Sequence, residues 1–471
     1  MNNKNDVSRR KFLLKSSVVG VGFMGLFNLT QNVSANGRNI SPLSEVGYGP
    51  LKAHKDGILM LPDGFDVKVI STKGNKMSDG FFVPGRADGM AAFKGNADKV
   101  ILVRNHENSI GASSEGPFGQ KNELLSKIDK NKMYDYGKGI KPGMGCTTNI
   151  VFNEKTQKIE TEFLSIAGTV RNCAGGLTPW NTWITCEETV EKAGSAGGYA
   201  EKDHGYNFEV PATEKIGLAD PIPLTGMGRF NHEAVSVDPR TSIVYQTEDT
   251  SDGLIYRYIP NEPGKLAKGG RLQAMMIKDR KSFDTRNWSK LQSEKFPIGE
   301  SFEVSWVDLQ NVESPDNDLR IQGFENGAAR FARGEGMWFG DNELYFACTN
   351  GGHISKGQVF KYIPSQYEGT VREKESPGKL ELFIEPNNTE IVKSCDNLTI
   401  APWGDIIMCE DVSEPNLVGV TPDGKFYMLA SNIGYKSEFA GAVFSPSGDT
   451  LFLNIQEPGI TLAITGPWKR K

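Results

Sequence analysis

The chain has 471 residues, 53 Lys+Arg against 58 Asp+Glu, a formal net charge of −5, 38% hydrophobic and 24% charged residues. These values exclude a disordered chain or a multi-spanning membrane protein, and so small a net charge leaves no electrostatic footprint for nucleic acid. Glycine is the deviation, at 53 residues or about 11% against an average near ~7%; with 10% aromatics and many short apolar runs it points to numerous tight turns in an all-β chain.

At the N-terminus, Ser8-Arg9-Arg10-Lys11-Phe12-Leu13 reads as a twin-arginine signal, followed by an apolar stretch from Val18 to Leu26 and small residues at Val33-Ser34-Ala35. The apolar stretch is short and carries Gly20, Gly22 and Gly25, too little for a ~20-residue span, so no stable membrane anchor is expected after cleavage. Residues 1–35 are therefore read as a removed signal and 36–471 as the mature protein, with the twin-arginine translocase as partner during export to the periplasm or beyond. That route carries folded proteins and suits a chain that takes up a cofactor first. Removing the signal leaves the mature chain near −9.

Downstream, one pattern recurs: a small or acidic residue, an apolar strand, a turn, and a second apolar strand ending in acids. In chain order the copies run from Asp88-Gly89-Met90 to Asn105-His106-Glu107, from Cys173-Ala174-Gly175-Gly176 to Cys186-Glu187-Glu188, and from His232-Glu233-Ala234 to Thr247-Glu248-Asp249. Three more run from Glu335-Gly336-Met337 to Thr349-Asn350, from Asp396-Asn397-Leu398 to Cys409-Glu410-Asp411, and from Ala440-Gly441-Ala442 to Gln456-Glu457. Their midpoints, such as Pro179-Trp180-Asn181, Asp238-Pro239-Arg240 and Pro402-Trp403-Gly404, have hairpin-turn chemistry. Third strands of one style follow, as in Leu254–Pro260 and Gln358–Pro364.

Six units of three or four antiparallel strands predict a six-bladed β-propeller. Two stretches, 121–141 and 261–330, exceed ordinary loop length and are expected to be insertions: lids, packing excursions or solvated loops. In a propeller the starts of the innermost strands and the ends of the second strands lie towards one end of the central channel. Asp88, Cys173, Glu233, Glu335 and Asp396 are thus expected near the axis, ringed by Glu107, Glu187/Glu188, Glu248/Asp249, Glu410/Asp411 and Glu457. So many carboxylates require bound cations or protonation, since each like-charge pair at ~4 Å costs several kcal/mol in a partly buried site. An oxygen-rich donor set favours calcium, magnesium, manganese or ferric iron, and a thiolate at Cys173 favours iron.

Arg333 lies two residues before Glu335, on the same strand face, and is read as a bidentate clamp for an oxyanion, phosphate above all. His106 and His232 each precede a ring acid and either orient ligands or fill turns. The six cysteines (146, 173, 186, 348, 395 and 409) allow three disulfides in an exported protein. Apart from Cys173, most sit inside apolar runs and read as buried small hydrophobes. No P-loop and no G-x-S-x-G elbow is present.

Arg104-Asn105-His106-Glu107, Cys173-Ala174-Gly175-Gly176 with Thr178-Pro179-Trp180 through Cys186-Glu187-Glu188, and Gly228-Arg229-Phe230-Asn231-His232-Glu233 resemble the PhoX-type alkaline phosphatases. So do Arg333-Gly334-Glu335-Gly336, Cys395-Asp396-Asn397-Leu398 and the twin-arginine signal, so that the resemblance runs from about Gly47 to Trp468. It implies an exported phosphatase on a six-bladed propeller with a ferric iron–calcium cluster (Fe3+ and Ca2+), acting on small-molecule phosphomonoesters as a monomer. Carried over by position, Cys173, Glu188, Glu233, Glu335 and Asp396 are the implied metal ligands, with Glu187 and Asp249 as companions and Arg333 holding substrate phosphate. The alternatives are a calcium-propeller hydrolase of phosphotriesters, phytate or lactones, and a non-enzymatic exported propeller that binds ligands.

Overall fold

The computed structural model describes residues 46–469; the signal and its cleavage site lie outside them. Strands dominate, and each recurring unit opens with an inner strand: Ala87–Lys94, Asn172–Leu177, His232–Val237, Gly334–Phe339, Cys395–Ile400 and Phe439–Phe444. Each inner strand pairs antiparallel with the next strand in the chain, as the hairpin turns require. Inner strands of successive units also pack side by side, and the sixth closes against the first. The result is a propeller-like all-β arrangement around a shared axis.

The hydrogen-bonded sheets number five rather than the six expected. Four are separate, and the fifth has nine strands because Ser301–Asp308 pairs with Gly270–Ile277 on one side and Lys379–Ile384 on the other, joining the third and fourth units at their outer edges. The 261–330 stretch therefore does not stand wholly outside the sheets: it supplies Gly270–Ile277 and Ser301–Asp308, with a short helix at Leu319–Glu325. In the 121–141 stretch, Leu125, Ile128 and Met133 are buried with Phe118 and Met144, so this segment packs on the body while its lysines face solvent. The last unit is closed by the N-terminal strand Asp66–Thr72 pairing with Ile460–Thr465, which ties the two ends of the propeller-like body together.

Apolar clusters fill the space between neighbouring sheets. At the axis the strands come too close for ordinary side chains. A Cβ on Gly89 would stand 2.6 Å from Ala174 Cα, and one on Gly336 would stand 2.6 Å from Leu398 N. Part of the glycine excess is thus the close approach of inner strands. All six cysteines are buried and free, so the three disulfides open to the sequence do not form.

Candidate metal centre

Every inner strand carries a one-residue β-bulge at the same phase. Pairing skips between Ala87/Met90, Asn172/Gly175, His232/Val235, Gly334/Met337, Cys395/Leu398 and Ala440/Val443. The first bulged residues are Asp88, Cys173, Glu233, Glu335, Asp396 and Gly441. A bulge bends the strand and re-aims its side chain, and here it turns four carboxylates and a thiol to the end of the axis. The sixth unit contributes only a glycine.

Neighbouring units hold the bulges in place. Asn105 donates to the carbonyls of Cys173 (3.1 Å) and Ala174 (2.6 Å), and its own Oδ1 accepts from Trp183 and Thr185. Thr247 Oγ1 donates to Glu335 O at 2.7 Å, and Asn454 donates to Asp88 O at 2.5 Å. These bonds hold the main chain of the bulges, from which the side chains are aimed.

Two sets of donor atoms each lie within 4.8 Å of one another: Cys173, Glu188 and Glu233, and then Glu233, Glu335 and Asp396. Glu233 belongs to both, so a single carboxylate links two adjacent cation positions. Five of the seven residues expected as ligands are brought together here. Asp249 stands beside them, its carboxylate held by Arg333 Nε at 2.7 Å and Nη2 at 2.8 Å.

Glu187 is not in either set. Its carboxylate is buried on the other side of its strand, accepting from Val170 N (2.9 Å), Gly205 N (2.8 Å), Tyr206 N (3.2 Å) and His204 Nδ1 (2.7 Å). Glu410 does the same in its unit, accepting from Lys393 N and Asn416 N, and Glu248 accepts from Leu254 N and the Tyr256 hydroxyl. Consecutive residues on a strand face opposite ways. The first acid of each pair therefore caps its own unit, while Glu188, Asp249 and Asp411 face the axis.

Other expectations sort in the same manner. Glu457 is largely exposed, 3.9 Å from Arg86 Nη1, and Gln456 turns inward instead, donating to Asp88 (2.8 Å) and Glu107 (3.0 Å). Neither histidine belongs to a donor set; both are buried at strand ends. His106 bonds Gly85 O and Thr148, while His232 donates to Gly228 O and stacks on Phe230. Burial holds His106 well below the usual imidazole range and His232 down to about 3, so both rings are neutral.

The electrostatics of the cluster are governed by burial and mutual repulsion. Burial first, then neighbouring carboxylates, push Asp88, Glu233 and Glu335 well above the normal acid range, raise Asp396 to about 7, and raise Glu188 to about 8 despite Arg171. Glu438, missed in the sequence, joins them next to Asp411 and Asp88 and is raised to about 11. Two carboxylates at the 4.8 Å limit repel by about 3 kcal/mol at an effective dielectric near 20. Among the described residues, the cations paired with acids of this cluster are Arg86, Arg171 and Arg333. The donor set therefore fits divalent or trivalent metal ions, which would take the place of protons, including that of the Cys173 thiol, which burial and nearby acids raise.

Arg86 and Arg171 are also absent from the sequence reading, although their signal was visible: each lies two residues before a bulge residue, as Arg333 does. All three adopt left-handed backbone, with φ of 48°, 51° and 49°.

A propeller-like body whose axial end gathers carboxylates, a thiol and arginines has the donors for metal ions and, beside them, cations for an anionic ligand. The family model described as alkaline phosphatase PhoX matches residues 46–459, and the chain belongs to that family; it is a phosphatase. The solved structure of Pseudomonas fluorescens PhoX in complex with vanadate, a transition state analogue, is similar, at 16% identity and a TM-score of 0.62, covering 87% of this chain and 96% of that one. At that identity the likeness shows a shared fold. A gluconolactonase from Xanthomonas campestris aligns at 9% identity and a TM-score of 0.35, over 90% of this chain and 99% of its own. A Myceliophteria thermophila β-propeller domain aligns at 9% identity and a TM-score of 0.40, over 86% and 100%. No curated protein matches the chain by sequence.

Proposed function

We propose that the protein is an exported, metal-dependent alkaline phosphatase that hydrolyses small-molecule phosphomonoesters as a monomer, and that its nine-stranded sheet is two blades of a six-bladed propeller. The mature domain runs from residue 36 to 471 behind the twin-arginine signal. Among the described residues no helix is long and apolar enough to cross a membrane. The observation that carries the reading is the pair of donor sets sharing Glu233 with Arg333 beside them, 3.0 Å from Glu335. Cys173, Glu188 and Glu233 would hold ferric iron, for which a thiolate among oxygens is suited. The carboxylate-only donors Glu233, Glu335 and Asp396, with Asp249 nearby, would hold further iron or calcium.

Bound ions would supply charge stabilisation at the phosphoryl oxygens and activation of water. The chain's own residues do the rest. Asp249 fixes the Arg333 guanidinium through Nε and Nη2, so its plane is set before substrate binds and no reorganisation is needed as charge develops on the phosphoryl group. About a third of the Arg333 side chain is exposed (35%), which leaves an edge for the phosphate. The Asn105, Thr247 and Asn454 bonds hold the main chain at the bulges that carry Cys173, Glu335 and Asp88.

The test is release of phosphate from a phenyl phosphate at alkaline pH by protein exported from its host, with and without chelator, alongside elemental analysis. Activity that tracks bound iron and calcium supports the reading. Metal-loaded protein that cleaves only diesters or lactones, or nothing, overturns it.

A further inference from the structure

The three arginines are not equivalent in what they hold. Arg333, in the fourth unit, pairs with Glu335 of its own unit and Asp249 of the third. Arg86 and Arg171 sit in the adjacent first and second units and converge on one carboxylate, Glu107. Arg86 Nη2 bonds its Oε2 at 2.7 Å, and Arg171 Nη2 lies 2.8 Å from its Oε1. Arg171 also bonds Glu188 through Nη2 and the Glu188 carbonyl through Nε at 3.1 Å. Glu107 itself is buried (7%), whereas Arg86 and Arg171 are 34% and 38% exposed. The cations form the rim and the acid lies beneath them.

The backbone makes this placement deliberate. A left-handed φ at a residue with a Cβ is uncommon and costs free energy that glycine or asparagine largely avoids. Ser394 occupies the same step of the fifth unit with φ 54°, so four of the six units share the bend, while Asn231 and Phe439 of the third and sixth do not. Among the four units that share it, the first, second and fourth carry arginine there and the fifth serine. Once Glu188 is committed to a metal ion, the two guanidiniums share Glu107, and the exposed Glu457 lies 3.9 Å from Arg86 Nη1. Both arginines stay about a third exposed beside the metal ligand Glu188, on the opposite side of the ring of units from Arg333. Among the described residues, Arg171 has no carboxylate partner but Glu107 once Glu188 is so committed.

We propose that Arg171 and Arg86 form a second anion arm, which binds a further phosphate on the leaving group and so favours substrates with two or more phosphates over simple monoesters. This rests on the phosphatase reading above. Guanidinium–phosphate pairs are charge-assisted and often bidentate. Their loss is commonly about tenfold or more in affinity.

The test compares Arg171→Gln and Arg86→Gln with wild type in the metal-loaded protein, using phenyl phosphate against a nucleoside triphosphate as substrates. It also measures equilibrium binding of methylphosphonate against methylenediphosphonate, which cannot be hydrolysed. For R171Q we expect kcat/KM on the triphosphate to fall at least tenfold further than on phenyl phosphate, mostly through KM. We also expect the wild-type preference for the diphosphonate to shrink by about tenfold, with R86Q shifting both in the same direction. Equal losses on both substrates, or loss of metal from R171Q, would assign Arg171 to holding Glu188 and overturn the proposal. So would wild-type protein that binds the two phosphonates equally. If wild type prefers the diphosphonate but hydrolyses neither substrate, the anion arm stands and the phosphatase reading falls.

Discussion

Replacing Glu188 by glutamine (E188Q) removes one charge from the cluster while keeping its shape, and its consequence in the metal-free protein follows from position. In the folded chain burial and nearby acids, chiefly Asp249, raise the carboxyl from 4.5 to about 8 against the pull of Arg171. A carboxyl raised in the folded state binds its proton more tightly there than in the unfolded chain. Its stabilising contribution is therefore complete below about pH 4.5 and is lost as pH rises through about 8. At about 1.4 kcal/mol per unit, and allowing for repulsion shared with its neighbours, the loss is on the order of 3–5 kcal/mol. For about 430 residues, the unfolding entropy near ~2.1 cal/mol/K per residue gives roughly 0.9 kcal/mol per degree, hence about 3–6 °C. Metal-stripped wild type should therefore lose about that much more Tm between pH 5 and 8.5 than metal-stripped E188Q does. The buried histidines are common to both proteins and cancel. Differential scanning calorimetry after chelation reads the two slopes, and added calcium should restore Tm chiefly in wild type at the higher pH. Equal pH slopes in the two proteins would refute the electrostatic argument for the site.

Arg333→Ala should lower kcat/KM on phenyl phosphate by about 100-fold or more with metal content retained; unchanged turnover would remove Arg333 from the clamp. Cys173→Ala should lose iron while keeping part of the calcium, read by elemental analysis; full iron would return Cys173 to the buried small hydrophobes. Glu187→Gln sets an amide N–H2 against a shell of donors and should cost about 2–4 kcal/mol of stability, seen as a Tm lower by a few degrees with metal content at the wild-type level. Loss of metal without a change in Tm would place Glu187 among the ligands.

Much of the site was legible because its signal is periodic. Acids and a cysteine in phase with a strand–turn–strand repeat must converge if the repeat closes on itself, and Asp88, Cys173, Glu233, Glu335 and Asp396 do occupy the same bulge in successive units. Where two acids stand in a row the sequence is silent on which turns inward. That depends on strand phase at the end of the second strand, which is why Glu188 faces Cys173 and Glu233 while Glu187 caps its unit. The same ambiguity placed Glu457 at the axis, where the structure has Gln456.

The sequence by itself determined the all-β class, the repeat, the convergence of carboxylates and the family, because each is written in composition, local periodicity or contiguous motifs. Only the tertiary structure decided how the sheets join. The bridging strand Ser301–Asp308 acts through backbone pairing at the outer edges, which carries no motif. Only the tertiary structure brought Arg86 and Arg171 onto opposite oxygens of Glu107 as well, since that meeting is made by side chains 85 residues apart on neighbouring units. Contacts of that kind depend on closure around the axis, which no local stretch of chain encodes.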